Sequence, residues 1–165
     1  GFDKNIKMMT DANKLITNRC DQIKLYGHIS HDLYVETVVG YDELREHYYG
    51  EYGREFSYIT DIIGSKKFLV NLTFHAEDGG GVEYAMLQAM YHDCCLIVNR
   101  RWIENVDPKF RELKEGYNCL AVDNEKELAE ILNKDPDVSK IVGNANELFY
   151  KHATAGESWR LGLMQ

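Results

Sequence analysis

The most constraining feature of the sequence is a stretch over residues 68–99, in which an apolar run precedes a glycine triplet, a helical pattern and a second apolar run. In order, these four parts are residues 68–74, 79–81, 82–91 and 94–98. The apolar runs predict buried strands, and the order strand, glycine turn, helix, strand is typical of α/β proteins that hold a phosphate at a helix N-terminus. The stretch therefore predicts a parallel sheet and a ligand site at one edge of it.

Helical patterns occur on both sides of this stretch. Apolar residues at helical spacing predict an amphipathic helix over 3–19 that packs on the sheet. Asp42 is a candidate N-cap for a second helix, and Asp123-Asn124 is a candidate cap for a third. Pro136 is expected to open the last helix.

Short apolar runs elsewhere predict the remaining strands. They cover residues 23–26, 33–39 and 119–122. The segment 50–65 is compatible with two interpretations, a strand over 56–59 or a helix over 58–64. Because strands alternate with helices and no β-hairpin dipeptide joins two strands, the pattern predicts an α/β fold with a mostly parallel sheet flanked by helices.

Length and charge limit the class of protein. A chain of 165 residues is expected to form a single domain over residues 1–165. The net charge of −8 argues against the broad basic surface that non-specific nucleic-acid binding requires. Lys66-Lys67 and Arg100-Arg101 are either solvated loop ends or parts of a locally basic cleft. No apolar run has the length of a membrane span, and a chain that begins at Gly1 is expected to be part of a longer protein.

The four cysteines lack the paired spacing of a zinc site, so we expect no metal and reduced thiols in the cytoplasm. Cys94 and Cys119 each open an apolar run, as small buried hydrophobic residues do. The tripeptide Asn71-Leu72-Thr73 matches an N-glycosylation acceptor, but it lies inside a predicted buried strand.

The glycine triplet, Gly79, Gly80 and Gly81, has two interpretations. Glycines let the backbone approach a ligand closely, and the first amides of the helix that begins at Val82 carry a partial positive charge, so the turn is suited to a phosphate. The pattern is neither a dinucleotide fingerprint nor a Walker loop, and a tight turn without a ligand accounts for it equally well.

Three side chains near the triplet are candidate site residues. Glu83 lies in the first turn of the helix, where the helix dipole favours a carboxylate and where it could accept hydrogen bonds from a sugar or ribose. Glu77 offers the same chemistry from the preceding loop, unless it is simply solvated. His75 directly follows the strand, as site residues of α/β enzymes often do, or it is a satisfied half-buried histidine.

At this point the sequence resembles a known family. Residues 82–99 are similar to the donor-site helix and following strand of GT-B glycosyltransferases of the retaining family-4 type. In that family the helix reads Leu-Glu-Ala-Met-Ala, and here Leu87-Gln88-Ala89-Met90 matches it. The residues over 118–129 resemble the ending of the same domain, and Glu83-Tyr84 is similar to an arrangement in the DNA α-glucosyltransferases of T-even phages.

This resemblance implies a Rossmann-like fold, the C-terminal half of a GT-B enzyme, with the acceptor site on a missing N-terminal half. It implies a nucleotide diphosphate sugar as donor substrate, most simply a UDP-sugar such as UDP-glucose, and no metal. Either Glu83 or Glu77 would hold the sugar hydroxyls and Gln88 the ribose. The remaining candidates for contact with the donor are Gly79, Gly80, Gly81, Val82 and His75.

Two departures from the family pattern concern the same site. The glutamate that binds ribose in the family falls on the neutral Gln88, and the first glutamate of the family pair falls on Gly80. We therefore expect a glycosyltransferase donor domain that serves hexose transfer to a glycan, a lipid or modified DNA. The alternative is a catalytically inactive nucleotide-binding or interaction module of the same fold.

Overall fold

The computed structural model describes residues 4–29, 32–51, 56–73 and 82–154. Within these residues, three parallel strands form one sheet in the order β1, β2, β3. The strands are β1 Phe68–Asn71, β2 Cys95–Asn99 and β3 Leu120–Val122. Val70 lies opposite Ile97, which in turn lies opposite Leu120. The prediction of a parallel sheet is therefore confirmed, and the strands lie within one to three residues of the predicted bounds.

The helices of the described residues follow the chain as α1 Ile6–Leu15, α2 Asp32–Tyr34, α3 Tyr41–His47, α4 Phe56–Ile63, α5 Tyr84–Tyr91, α6 Arg100–Asn105, α7 Glu125–Lys134 and α8 Ser139–Thr154. A π-helical segment, Val35–Val39, continues α2, and short 3₁₀ turns occupy Arg19–Asp21 and Pro108–Phe110. The helical interpretation of the segment 50–65 is therefore correct, although α4 begins two residues earlier than that interpretation had it.

Two apolar cores lie on opposite faces of the sheet, because side chains of a strand alternate between its faces. On one face, Leu96 and Val98 of β2 pack with α5, α6 and α8. On the other face, Ile97 packs with α1, α7 and the π-helical segment. All five residues of β2 are buried, which accounts for its almost continuous apolar sequence as a central parallel strand. The chain thus forms three layers, helix, sheet and helix.

The predicted strand over 33–39 is wrong, because these residues are helical. Val35 and Val39 are buried, four residues apart, whereas Val38 is 46% exposed and Leu33 is 73% exposed. That spacing follows a helical period and not the alternation of a strand. Gly40 ends the segment with a φ of +91°, a conformation that glycine adopts without steric cost.

The predicted strand over 23–26 is reduced to a single bridge. Leu25 pairs in parallel with Tyr48, and the Leu25 amide donates to the His47 carbonyl at 2.8 Å. The side chain of Asn13 on α1 instead binds the backbone of Ile23. Its Oδ1 accepts from the Ile23 amide at 2.7 Å, and its Nδ2 donates to the Ile23 carbonyl at 3.0 Å. A helix side chain therefore takes the place of a strand partner there.

Helix starts are partly as predicted. Asn124 caps α7, since its Oδ1 accepts from the amides of Lys126 and Glu127. Asp42 is not an N-cap, because α3 begins one residue before it, at Tyr41, with Gly40 in the cap position. Pro136 does not open α8 directly: the helix begins at Ser139, whose amide donates to Asp137 Oδ1 at 3.0 Å.

Candidate functional site

Polar side chains meet where β1 ends and α5 begins. Asn71 is the last residue of β1, Thr73 follows two residues later, and Glu83 directly precedes α5. Lys4 reaches the same place from the segment before α1. In parallel α/β sheets this carboxyl edge is where ligands bind. We call these four residues, Lys4, Asn71, Thr73 and Glu83, the edge network.

The edge network is a closed ring of hydrogen bonds. Lys4 Nζ donates to Glu83 Oε1 at 3.0 Å, to Glu83 Oε2 at 3.2 Å and to Thr73 Oγ1 at 2.9 Å. Thr73 Oγ1 donates to Asn71 Oδ1 at 2.7 Å, and Asn71 Nδ2 donates to Glu83 Oε2 at 2.7 Å. The ring fixes the direction of the Glu83 carboxylate, since both oxygens are held.

Glu83 occupies the N-cap position of α5, with an extended backbone at φ −69° and ψ 156°. Its side chain makes no hydrogen bond to the helix amides. The carboxylate instead turns toward β1, and 27% of the side chain is exposed. The helix-dipole interpretation therefore does not by itself account for Glu83, because its hydrogen bonds are with the sheet edge and Lys4.

Two more predicted site residues lie within the described part of the chain. Gln88 is half-buried on α5, four residues after Tyr84. Val82 is also half-buried and packs against the apolar core of α5, α6 and α8. His75, Glu77, Gly79, Gly80 and Gly81 lie outside the described residues, so their roles stay predictions.

No sequence motif identifies three members of the edge network as site residues. Asn71 and Thr73 belong to a predicted strand and match a glycosylation tripeptide, and Lys4 belongs to a predicted amphipathic helix. Asn71 is 7% exposed and Thr73 is 3% exposed. Polar residues at the end of an apolar run were the available signal, because buried polar groups require partners.

One residue of each basic pair, Arg100 and Lys67, is bound to acidic side chains. Arg100 Nε donates to Asp123 Oδ2 at 2.8 Å, and its guanidinium also contacts Glu115 and Glu127. Hydrogen bonds from Arg100 to Glu115 and Asp123 raise the pKa of the guanidinium further above its ordinary value. Lys67 is bound to Asp135 at the opposite edge of the sheet. For these two residues the contacts favour loop ends over a basic cleft, although the side chains are ion-paired and not only solvated.

The cysteines behave as buried apolar residues with one exception. Cys94, Cys95 and Cys119 are buried, whereas Cys20 is exposed, and all four are free thiols. Burial raises the pKa of Cys94 to about 11 and that of Cys95 and Cys119 to about 12. No group of three or more histidine, cysteine or acidic side chains within the described residues is arranged to hold a metal.

Among the described helices, none has the combination of length and apolar character needed to traverse a bilayer.

A three-stranded parallel sheet with helices on both faces, and polar groups at its carboxyl edge, defines a Rossmann-like α/β domain. Among the solved structures that it is similar to are those of Anabaena HepE, whose fold is of the GT-B type. The HepE structure in complex with UDP has a TM-score of 0.66 and 14% identity, and the similarity covers 92% of this chain and 42% of HepE. The complex with UDP-glucose gives the same values, and the complex with UDP and glucose has a TM-score of 0.65 and 15% identity.

At this identity the similarity establishes the fold alone. It confirms the prediction that the chain has the fold of a C-terminal, Rossmann-like half of a GT-B protein. The chain spans less than half the length of HepE. No family model and no curated protein matches the sequence significantly.

Proposed function

We propose that this chain is the donor-binding domain of a glycosyltransferase that takes a hexose from a nucleotide diphosphate sugar, a UDP-sugar such as UDP-glucose. The observation that carries the proposal is the Glu83 carboxylate, held by Lys4 and Asn71 at the carboxyl edge of β1. Carboxylates in this position suit the hydroxyl groups of a sugar or ribose. The fold is shared with HepE, which is solved with UDP and with UDP-glucose.

The residue roles proposed here combine the family resemblance with the place of Glu83 at this edge. Glu83 would accept hydrogen bonds from the sugar hydroxyls, with Glu77 as the other candidate, and Gln88 would contact the ribose. The remaining donor contacts would come from Gly79, Gly80, Gly81, Val82 and His75. Backbone amides of the glycine turn would face the leaving diphosphate, whose developing charge such donors stabilise. The proposal requires no metal for this step.

The whole enzyme would have two domains. Residues 1–165 would form the donor domain, and a preceding GT-B domain would supply the acceptor site. The acceptor would be a glycan, a lipid or modified DNA, and the reaction would take place in the cytoplasm. HepE supports this arrangement, since the similar region makes up 42% of its chain.

Titration calorimetry with UDP and UDP-glucose tests the proposal, on this chain and on the same chain joined to an N-terminal half. Glu83→Ala is expected to weaken UDP-glucose binding by about tenfold or more, because a charge-assisted hydrogen bond contributes about 1.5–3 kcal/mol. Glu130→Gln is the matched control, because Glu130 is an exposed carboxylate on α7 that pairs with Lys134. No binding of either ligand, or equal affinity of Glu83→Ala and the parent, would contradict the proposal.

A donor site without catalysis is the second candidate. Two observations favour it: the ribose position is the neutral Gln88, and Lys4 and Asn71 already hold both oxygens of Glu83. The candidates differ in turnover, since an active enzyme hydrolyses or transfers glucose from UDP-glucose and an inactive module only binds it. Gln88→Glu is expected to increase nucleotide affinity in the active case, and an unchanged affinity would favour the inactive module.

A further inference from the structure

Lys4 contacts Glu83 in this site, although no sequence motif identifies it as a site residue. Resting on the proposed function, we propose that Lys4 is a positioning residue that sets the direction of the Glu83 carboxylate for recognition of the donor sugar. Lys4 precedes α1, and 79 positions separate it from Glu83. Its contacts therefore join the first described segment of the chain to the start of α5.

The hydrogen-bond directions of the edge network leave little freedom. Asn71 Oδ1 accepts from both the amide and the hydroxyl of Thr73, at 3.2 and 2.7 Å. The amide nitrogen of Asn71 must then point the other way, toward Glu83 Oε2. Because the Thr73 hydroxyl donates to Asn71, it presents a lone pair to Lys4 Nζ at 2.9 Å. Each group thus orients the next, and such chains of hydrogen bonds strengthen one another.

The carboxylate keeps capacity for a ligand. An ionised carboxylate has about four acceptor sites. In the described part of the chain, Glu83 Oε2 accepts from Asn71 and Lys4, whereas Oε1 accepts only from Lys4. The Glu83 side chain is 27% exposed, and its Oε1 retains an acceptor site for a ligand hydroxyl.

Lys4 contributes something that Asn71 cannot. Its ammonium contacts both carboxylate oxygens, so the Glu83 side chain is held at two points against rotation. It also supplies the positive charge that a partly desolvated carboxylate requires. Loss of Lys4 is therefore expected to impair sugar recognition through Glu83 while leaving the contacts to UDP intact.

A double-mutant cycle tests this coupling. The affinities for UDP and UDP-glucose are measured by calorimetry for the parent chain and for Lys4→Met, Glu83→Gln and the double variant. Lys4→Met is expected to weaken UDP-glucose about tenfold and UDP by less than about twofold, because only the sugar contact depends on a directed carboxylate. The double variant is expected to bind UDP-glucose no more weakly than Glu83→Gln alone.

Two further variants exclude a purely structural role. Lys4→Arg retains donors and charge and is expected to preserve most of the UDP-glucose affinity. Lys14→Met removes another lysine near the N-terminus, one that pairs with Asp11 and Glu43, and is expected to leave both affinities unchanged. Equal losses for UDP and UDP-glucose in Lys4→Met would indicate general destabilisation and overturn the inference.

The outcomes separate this inference from the proposed function. If Glu83→Gln impairs UDP-glucose binding and the loss in the double variant is the product of the two single losses, the positioning role of Lys4 is wrong and the donor site stands. If Glu83→Gln leaves the UDP-glucose affinity unchanged, both the donor role of Glu83 and the role of Lys4 are wrong.

Discussion

At the scale of single residues, burial decides what a side chain can do. Asn71 and Thr73 read in the sequence as a glycosylation tripeptide, yet both are buried and bound to Glu83 and Lys4. Burial also decides the role of the cysteines. Three of the four are buried thiols with raised pKa values, so residues capable of nucleophilic chemistry act as apolar packing.

Thiol labelling tests the burial of the cysteines. At pH 8 we expect a disulfide reagent to modify Cys20 rapidly and the other three thiols only when the protein unfolds, because the reactive species is an accessible thiolate. Absorbance of the released chromophore measures the phases. Cys20→Ser should abolish the rapid phase, and rapid modification of Cys95 in the folded chain would contradict the structure.

The raised pKa values also predict an alkaline limit to stability. Since these thiols ionise at higher pH in the folded chain than in the unfolded chain, their stabilising effect is complete below the ordinary pKa of 9.0. It is lost as the pH rises toward the folded values of about 11 and 12. Urea unfolding between pH 7 and 10.5 should show a free energy that declines above about pH 9.

Cys95→Ala serves as the comparison for this pH dependence. The variant is expected to be less stable at neutral pH, because a buried group is removed, but to lose less stability between pH 9 and 10.5. A decline as steep as that of the parent would show that other groups cause it.

At the scale of elements, local signals and packing compete. The helix pattern of α5 and the cap of α7 are local, and both were predicted within a few residues. The segment Val35–Val39 has β-branched residues that favour strands, yet it forms a π-helical continuation of α2. Packing of Val35 and Val39 against the core with α1 and α7 overrides the propensity there.

The cap of α7 gives a prediction for this scale. Asn124 Oδ1 accepts from the amides of Lys126 and Glu127 at 3.0 and 3.1 Å. Asn124→Ala is expected to lower the free energy of unfolding by about 1 kcal/mol, the usual effect of losing an N-cap. Urea denaturation followed by circular dichroism measures it. Asn124→Ser keeps a capping oxygen and, like Asn124→Ala, loses the bond from Asn124 Nδ2 to Glu127 Oε1, so it should lose less stability than Asn124→Ala. An equal loss in both variants would argue against capping.

At the scale of the whole molecule, contacts distant in sequence complete what local structure leaves open. The C-terminal end of α1 has unpaired backbone groups, as every helix end does. Asn133 of α7 binds the backbone there. Its Nδ2 donates to the Leu15 carbonyl at 3.0 Å, and its Oδ1 accepts from the amide of Thr17, just after the helix, at 2.9 Å. One side chain of α7 thus binds the backbone at the end of α1.

Asn133→Ala tests this connection. We expect it to lower the free energy of unfolding by about 1–2 kcal/mol, because the variant loses these bonds together with one to the Thr17 hydroxyl. Chemical denaturation measures the change, and hydrogen exchange should show faster exchange at the Thr17 amide. Glu130→Ala, at an exposed position of the same helix, is the control. A change no larger than in the control would show that this cap contributes little.

The sequence by itself determined the elements that local patterns specify: the parallel strands, α5 and α7, with Glu83 at the start of α5. These follow from periodicity and capping, which depend on residues within a few positions of each other. Only the tertiary structure decided that Lys4 meets Glu83, that Asn133 caps α1 and that residues 33–39 are helical. Such contacts join residues far apart in the chain or depend on packing, so no local pattern predicts them.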